Sequence, residues 1–168
     1  MHNIKYLIIP LLFLNFAVNA QESKQFVIEG KIKAPLTVTL NNLSAYKSVN
    51  LDSMTIFNHL MQRKGSIKNI KGVLLKDILA KVEIDAASPK TLSEYYLVFT
   101  ATDNYKVVYS WNEIFNSPIG NQLMILTGYD TDPNKAGKGN IAVITPGDFA
   151  TGRRFVKGLS KISILQVN

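Results

Sequence analysis

The chain of 168 residues contains no cysteine. That absence removes disulfide cross-links, thiolate metal sites, cysteine nucleophiles, cysteine-held iron–sulfur clusters and the attachment motif of a c-type haem. Stability must come from packing and hydrogen bonding. Histidine is almost as scarce, being present only as His2 and His59. With one imidazole outside the N-terminal segment, no multi-histidine metal site can be assembled, and no nucleophile, base and orienting acid can be put together as a hydrolase triad. Acidic residues are also in short supply. Twelve Asp and Glu stand against nineteen Lys and Arg, a formal net charge of +7. This balance favours anionic partners, such as phosphorylated small molecules or the anionic face of a membrane, although scattered lysines that merely keep a domain soluble would give the same sum. No basic helix or basic-aromatic motif supports nucleic acid as a partner.

Long apolar runs are missing except near the N-terminus. There Lys5 precedes an apolar stretch over residues 6–18, broken by Pro10 and Asn15 and ending in Val18-Asn19-Ala20. This pattern is that of a secretory signal peptide cut near Ala20, and the stretch is short for a membrane span, which needs roughly 20 apolar residues. The expectation is an exported protein, periplasmic or secreted, with residues 21–168 forming one domain. An uncleaved anchor is the alternative.

What the rest of the chain does contain is a succession of short strand patterns. Phe26, Ile28, Gly30 and Ile32 alternate with polar neighbours, the period of a half-buried strand. A short extended piece is expected over residues 37–40, followed by a brief helix capped by Asn41 or Asn42. Residues 49–57 and 66–71 read as a hairpin turning at Arg63-Lys64-Gly65. Leu75, Ile78, Leu79 and Val82 have the spacing of an amphipathic helix of two to three turns. Residues 95–100 and 105–110 form a second hairpin around Thr102-Asp103-Asn104, and Ser110 is placed to cap a helix over residues 111–115, with Glu113 in its first turn. Apolar runs at 123–129 and 141–144 read as buried strands, the composition of residues 130–140 as an exposed loop, and residues 160–167 as the last strand. The fold class expected is α+β, beta-dominated, with mixed sheets and a few short helices.

One segment concentrates chemistry. In PGDFATGRRFVKG, Pro146 and Gly147 force a turn, Gly152 removes a side chain, and Arg153, Arg154 and Lys157 supply three cations within five positions. Glycine allows close approach of a backbone to a ligand, and an arginine fork grips a phosphate through two hydrogen bonds. The plain alternative is a loop whose cations are solvated. His59 and Met61 are weak candidate metal donors, better read as a surface residue and a core residue. Tyr95, Tyr96, Tyr105, Tyr109 and Trp111 could line a pocket for a flat ring, but aromatics on paired strands more often pack against one another.

The ordered set GVLLKDIL (72–79), LVFTATDNYKVVYSWNEI (97–114), the apolar strand at 123–129 and ITPGDFATGRRFVKGLSKISI (144–164) resembles the oxidoreductase molybdopterin-binding domain of the sulfite oxidase family. It is closer to the family's short, stand-alone bacterial members. The resemblance implies a mixed β and α domain holding a molybdopterin, with Gly152, Arg153, Arg154 and Lys157 at the pterin phosphate. It also puts Asp103 of the TATDNY turn facing the same cleft, where a simple turn residue is the alternative. Active members ligate molybdenum through a cysteine upstream of the GVLL-type helix, and residues 49–71 contain none. Two functions follow from the resemblance: a non-catalytic or altered relative that keeps an anion pocket, or an active molybdopterin-dependent oxidoreductase or its cofactor-binding subunit. In the second case electrons would have to leave through another protein, a redox or membrane partner.

Overall fold

The structure is a computed structural model that describes residues 23–130 and 141–167. The expected signal peptide and nearly all of the expected 130–140 loop lie outside these residues. Among the described residues ten strands form two five-stranded sheets, accompanied by three short α-helices, an α+β architecture as the strand patterns foretold.

The first sheet has the order β2-β1-β10-β5-β6. Its strands are β1 (Gln25–Gly30), β2 (Leu36–Thr39), β5 (Tyr95–Ala101), β6 (Lys106–Ser110) and β10 (Leu159–Gln166). Strand β10 is central, running parallel to β1 and antiparallel to β5. Gly30 ends β1 at φ +102°, and a Cβ there would lie 2.2 Å from the Ile164 carbonyl oxygen. Only glycine permits that approach at that φ.

The second sheet has the order β3-β4-β7-β8-β9. It comprises β3 (Val49–Phe57), β4 (Arg63–Leu74), β7 (Met124–Asp130), β8 (Ala142–Ile144) and β9 (Val156–Lys157). Consecutive residues Met124, Ile125 and Leu126 are all buried, as are Ala142, Val143 and Ile144. An alternating pattern cannot appear in such strands because both faces of the sheet are covered. One face contributes Val73, Ile125, Val143 and Val156 to the main core, where they meet Phe26, Ile28, Leu97, Phe99, Tyr109, Ile162 and Ile164 of the first sheet. The opposite face contributes Met124, Leu126, Ala142 and Ile144 to a second cluster with Met54, Ile67, Ile70 and Phe155.

The helices are α1 (Leu40–Leu43), α2 (Leu75–Leu79) and α3 (Trp111–Phe115). Thr39, not Asn41 or Asn42, caps α1. Its hydroxyl accepts the Asn42 N–H at 3.2 Å, while the Asn42 side chain accepts from the Thr39 N–H at 3.0 Å. Helix α2 is shorter than its apolar spacing suggests. The Lys81 N–H donates to Ile78 and the Val82 N–H to Leu79, so a tighter turn carries Val82 onto the core. Helix α3 starts at Ser110 as expected, with the Ser110 hydroxyl accepting the Glu113 N–H at 3.1 Å and Glu113 Oε2 accepting the Ser110 N–H at 2.8 Å. That reciprocal pair is a capping box.

The first hairpin turns earlier than its sequence suggests. The reversal is at residues 58–62, and Arg63, Lys64 and Gly65 belong to β4, with Phe57 opposite Arg63 and Ile56 opposite Gly65. Asn58 is the reason. Its Oδ1 accepts the N–H groups of Leu60 and Gln62 at 3.0 and 2.9 Å, and its own N–H donates to the Gln62 carbonyl at 3.1 Å. An Asn that closes a turn through its side chain competes well with a glycine seven residues later.

Candidate functional site

Three segments converge at one end of the second sheet: the 58–62 turn, the turn between β5 and β6, and the short 3₁₀ turn Thr151–Arg154. Thr151 ties the last to the first. Its buried hydroxyl donates to the Thr55 carbonyl at 2.7 Å and accepts the Phe57 N–H at 3.0 Å. Gly152 then passes so close to β3 that a Cβ would meet the Phe57 carbonyl oxygen at 2.8 Å and Ile56 Cγ2 at 3.1 Å. Its missing side chain is therefore explained by packing against β3. From the other side, the Tyr105 hydroxyl donates to the Arg153 carbonyl at 2.5 Å, and the Thr102 N–H donates to the Gly158 carbonyl at 2.9 Å.

Between these segments opens a cleft of about 390 Å³, lined by Ile56, Phe57, Asn58, His59, Lys64, Tyr105, Gly152 and Arg153. Its volume lies in the range of small-molecule sites, roughly 300–1,000 Å³. The lining pairs an apolar wall, Ile56 and Phe57, with Lys64, Arg153 and the imidazole of His59. An anion entering there meets guanidinium and ammonium donors, with Asn58 and the tyrosine beside them.

The expected site residues separate in space. Gly152 and Arg153 line the cleft, and Arg153 is exposed. Arg154, its neighbour, turns inward. Its Nε donates to Asp148 Oδ2 at 2.7 Å, a second nitrogen binds the other Asp148 oxygen, and a third donates to Glu113 Oε1 at 2.8 Å. The guanidinium lies 4.3 Å from the centre of the Tyr109 ring. Two carboxylates and an aromatic face thus hold this cation, and it does not line the cleft. Lys157 is exposed on β9 with its ammonium 5.0 Å from the Phe155 ring centre, also away from the cleft lining. Asp103 closes its own turn, accepting the Tyr105 N–H at 3.1 Å, and is not among the lining residues.

Electrostatics follow from these contacts. The Asp148 hydrogen bonds lead in pushing the Arg154 pKa upward, against the burial that opposes it. Burial by itself would raise the Glu113 pKa, but the Ser110 N–H and the Arg154 guanidinium together outweigh it and hold the carboxyl below its ordinary value. Burial also pushes the Tyr109 hydroxyl well upward, so it stays protonated beside Thr145 Oγ1 at 2.7 Å. Glu113 therefore has two roles: it closes the α3 capping box with one oxygen and holds Arg154 with the other. This part-buried network fixes the 145–154 segment to α3 and β6. It leaves Arg153 as the arginine of the pair that faces solvent.

Lys64 and Asn58 were not legible as cleft residues, because they reach it from a hairpin some ninety positions away in the chain. A signal was nevertheless present. From Ser53 to Lys76 the chain holds five Lys and Arg and no carboxylate.

No family model and no curated protein matches the chain. Among solved structures, 23 chains match. One is the sulfane dehydrogenase SoxCD from Paracoccus pantotrophus, with a TM-score of 0.59 and 14% sequence identity, aligned over 88% of this chain and 39% of that one. This chain thus spans about two-fifths of that structure's chain. At such identity the likeness is one of fold, and the fold is α+β with sheets arranged as in a domain of that enzyme.

Proposed function

We propose that the protein is a molybdopterin-binding-domain-like module, exported and non-catalytic or chemically altered, that keeps a cleft for an anionic group such as a pterin phosphate. The observation that carries this reading is the cleft itself. Arg153, Lys64 and His59 converge beside an apolar wall and Tyr105, on a fold shared with a sulfane dehydrogenase.

The two ends of a molybdopterin fare differently against these residues. The phosphate end fits: Arg153 offers a planar fork and Lys64 a point charge, while Phe57 and Tyr105 supply surface for a flat ring. The metal end does not fit, since a chain without cysteine cannot provide a thiolate, the soft donor that sets the chemistry of the metal in the family it resembles. No reaction step is derived through that metal. A second reading, an active molybdopterin-dependent oxidoreductase or its cofactor-binding subunit, draws its support from the fold alone.

The test is to purify the protein from a host that makes molybdopterin and measure molybdenum, pterin fluorescence after oxidation, and calorimetric binding of inorganic phosphate. Phosphate or pterin binding that weakens about tenfold or more in Arg153→Ala is expected, as charge-assisted hydrogen bonds contribute about 1.5–3 kcal/mol. Stoichiometric molybdenum with turnover would establish the second reading. If neither pterin nor phosphate binds, the anion cleft is refuted.

A further inference from the structure

The tip of the β3–β4 hairpin carries apolar side chains that no packing among the described residues covers. Leu60 and Met61 project into solvent with 62% and 52% of their surfaces exposed. Met61 holds φ at +59°, a left-handed conformation that an unbranched but bulky side chain adopts only against strain. The loop is nonetheless tightly organised. Asn58 Oδ1 accepts two backbone N–H groups, its Nδ2 donates to Gln62 Oε1 at 3.0 Å, and the Met61 N–H donates to the Asn58 carbonyl at 3.0 Å. A rigid loop thus displays two large apolar side chains.

Along β4 the exposed charged side chains that follow the tip are cationic, with Asp130 of β7 opposite Lys68 as the carboxylate farther along the strand. Arg63, Lys64, Lys68 and Lys71 are exposed along β4, His59 is exposed beside Leu60, and Arg153 is exposed across the cleft. Between Asp52 and Asp77 there is no carboxylate. Apolar tip and cationic flanks are the two elements of interfacial binding: side chains that enter the boundary between headgroups and acyl chains, and cations that stay among the phosphates. An acidic groove in a protein would match the charge. It would also have to supply a pocket shaped to a leucine and a methionine side chain presented at a protruding point, whereas a bilayer accepts them without shape.

We propose that the protein docks peripherally on anionic lipid membranes through the 58–64 hairpin tip, with Leu60 and Met61 inserted at the headgroup boundary and Arg63, Lys64 and Arg153 seated on lipid phosphates. No helix among the described residues is long and apolar enough to cross a membrane, so the tip acts as a surface contact. Lys64 and Arg153 also line the cleft, whereas Leu60, Met61 and Arg63 lie outside its lining, so insertion of the tip does not depend on which small anion the cleft holds.

The absence of native cysteine makes the test direct. In the full chain, Leu60→Cys would carry the only thiol and can be labelled with a polarity-sensitive dye, with Lys90→Cys on the exposed Pro89–Glu94 turn as the control site. Titration with vesicles of phosphatidylcholine and phosphatidylglycerol should blue-shift the dye at position 60 and leave that at position 90 unchanged, and phosphatidylcholine alone should do neither. In co-sedimentation, Leu60→Ser with Met61→Asn, and separately Arg63→Gln with Lys64→Gln, should each lower partitioning onto the anionic vesicles about tenfold. Asparagine is chosen because it tolerates the left-handed φ. Every variant retains residues 1–22, so the apolar N-terminal segment contributes equally to all. An unshifted dye at position 60, equal binding to both vesicle types, or tip variants that sediment like the parent would each overturn the proposal. Capture of the tip by a soluble acidic protein with no vesicle binding would overturn it as well.

Discussion

Arg153 and Arg154 are adjacent and chemically identical, and the structure assigns them opposite consequences on removal. In Arg154→Ala, Asp148 and Glu113 lose the cation to which three nitrogen–oxygen contacts are made. Breaking a fully buried pair costs about 3–5 kcal/mol because a charge is left without compensation. Here the Asp148 side chain is only 13% exposed while that of Glu113 is 35% exposed, so water recovers part of the loss at one carboxylate and little at the other. The lower end, about 3 kcal/mol, is the expected cost. With a urea dependence near 2 kcal/mol per molar, that corresponds to a midpoint lowered by about 1.5 M. Arg154→Lys should recover less than half of it, since an ammonium cannot grip Asp148 with two nitrogens and Glu113 with a third. Arg153→Ala, at an exposed position without a hydrogen bond or ion pair to its guanidinium among the described residues, should cost below about 0.5 kcal/mol while weakening phosphate binding. Urea unfolding followed by far-ultraviolet dichroism, with phosphate titrated into each folded variant, reads both quantities. An Arg154→Ala midpoint equal to that of the parent would show that the network is ornamental and that the inward assignment of Arg154 is mistaken.

Three further outcomes follow from the same geometry. Because the folded Glu113 pKa lies below its ordinary value, its contribution to stability is complete above about pH 5 and is lost as pH falls through the lowered value; in Arg154→Ala, where burial is less opposed, that acid sensitivity should shrink or reverse, as stability measured from pH 6 to 3 will show. Gly152→Ala should cost about 1–3 kcal/mol and loosen the 3₁₀ turn from β3, because its Cβ meets the Phe57 carbonyl at 2.8 Å; hydrogen exchange at the Phe57 N–H should rise, and unchanged protection would contradict it. Thr151→Val keeps the shape but leaves the Thr55 carbonyl and Phe57 N–H without the hydroxyl, so a loss of about 1–3 kcal/mol is expected in thermal or urea unfolding, against little change if backbone pairing alone holds the cleft.

Local chemistry was what the sequence displayed well. Ser110 announces α3 because cap and N3 residue lie three apart, and the Thr102-Asp103-Asn104 turn shows because Asp103 and Asn104 satisfy it from within. The 123–129 and 141–144 runs are recognisable as doubly covered strands by continuous apolarity. Elsewhere, composition pointed the wrong way. Arg63-Lys64-Gly65 has the composition of a turn, yet the Asn58 side chain closes the loop first, and β9 is too short to leave a periodic trace. The cleft is half legible: Gly152 and Arg153 stand out in the basic loop, but the residues opposite come from a distant hairpin. Which arginine would face solvent was hidden altogether. It depends on Asp148, six positions away, together with Glu113, 41 positions away, and no sequence pattern says which of two adjacent guanidinium groups those carboxylates hold.

The place of β10 in the first sheet has a kinetic consequence. Its ladder to β1 joins Val27 with Lys161, and its other ladder joins β5. Until this strand docks, Ile28 on one side and Leu97 and Phe99 on the other belong to open sheet edges. Closure of so long a loop must precede the contacts that reward it, which places the domain among slow folders, in the range of about milliseconds to seconds. Synthesis therefore delivers a chain whose main core cannot close until β10 itself is free. In that interval the exposed apolar edges, rather than the native surface, are what chaperones and aggregation would encounter.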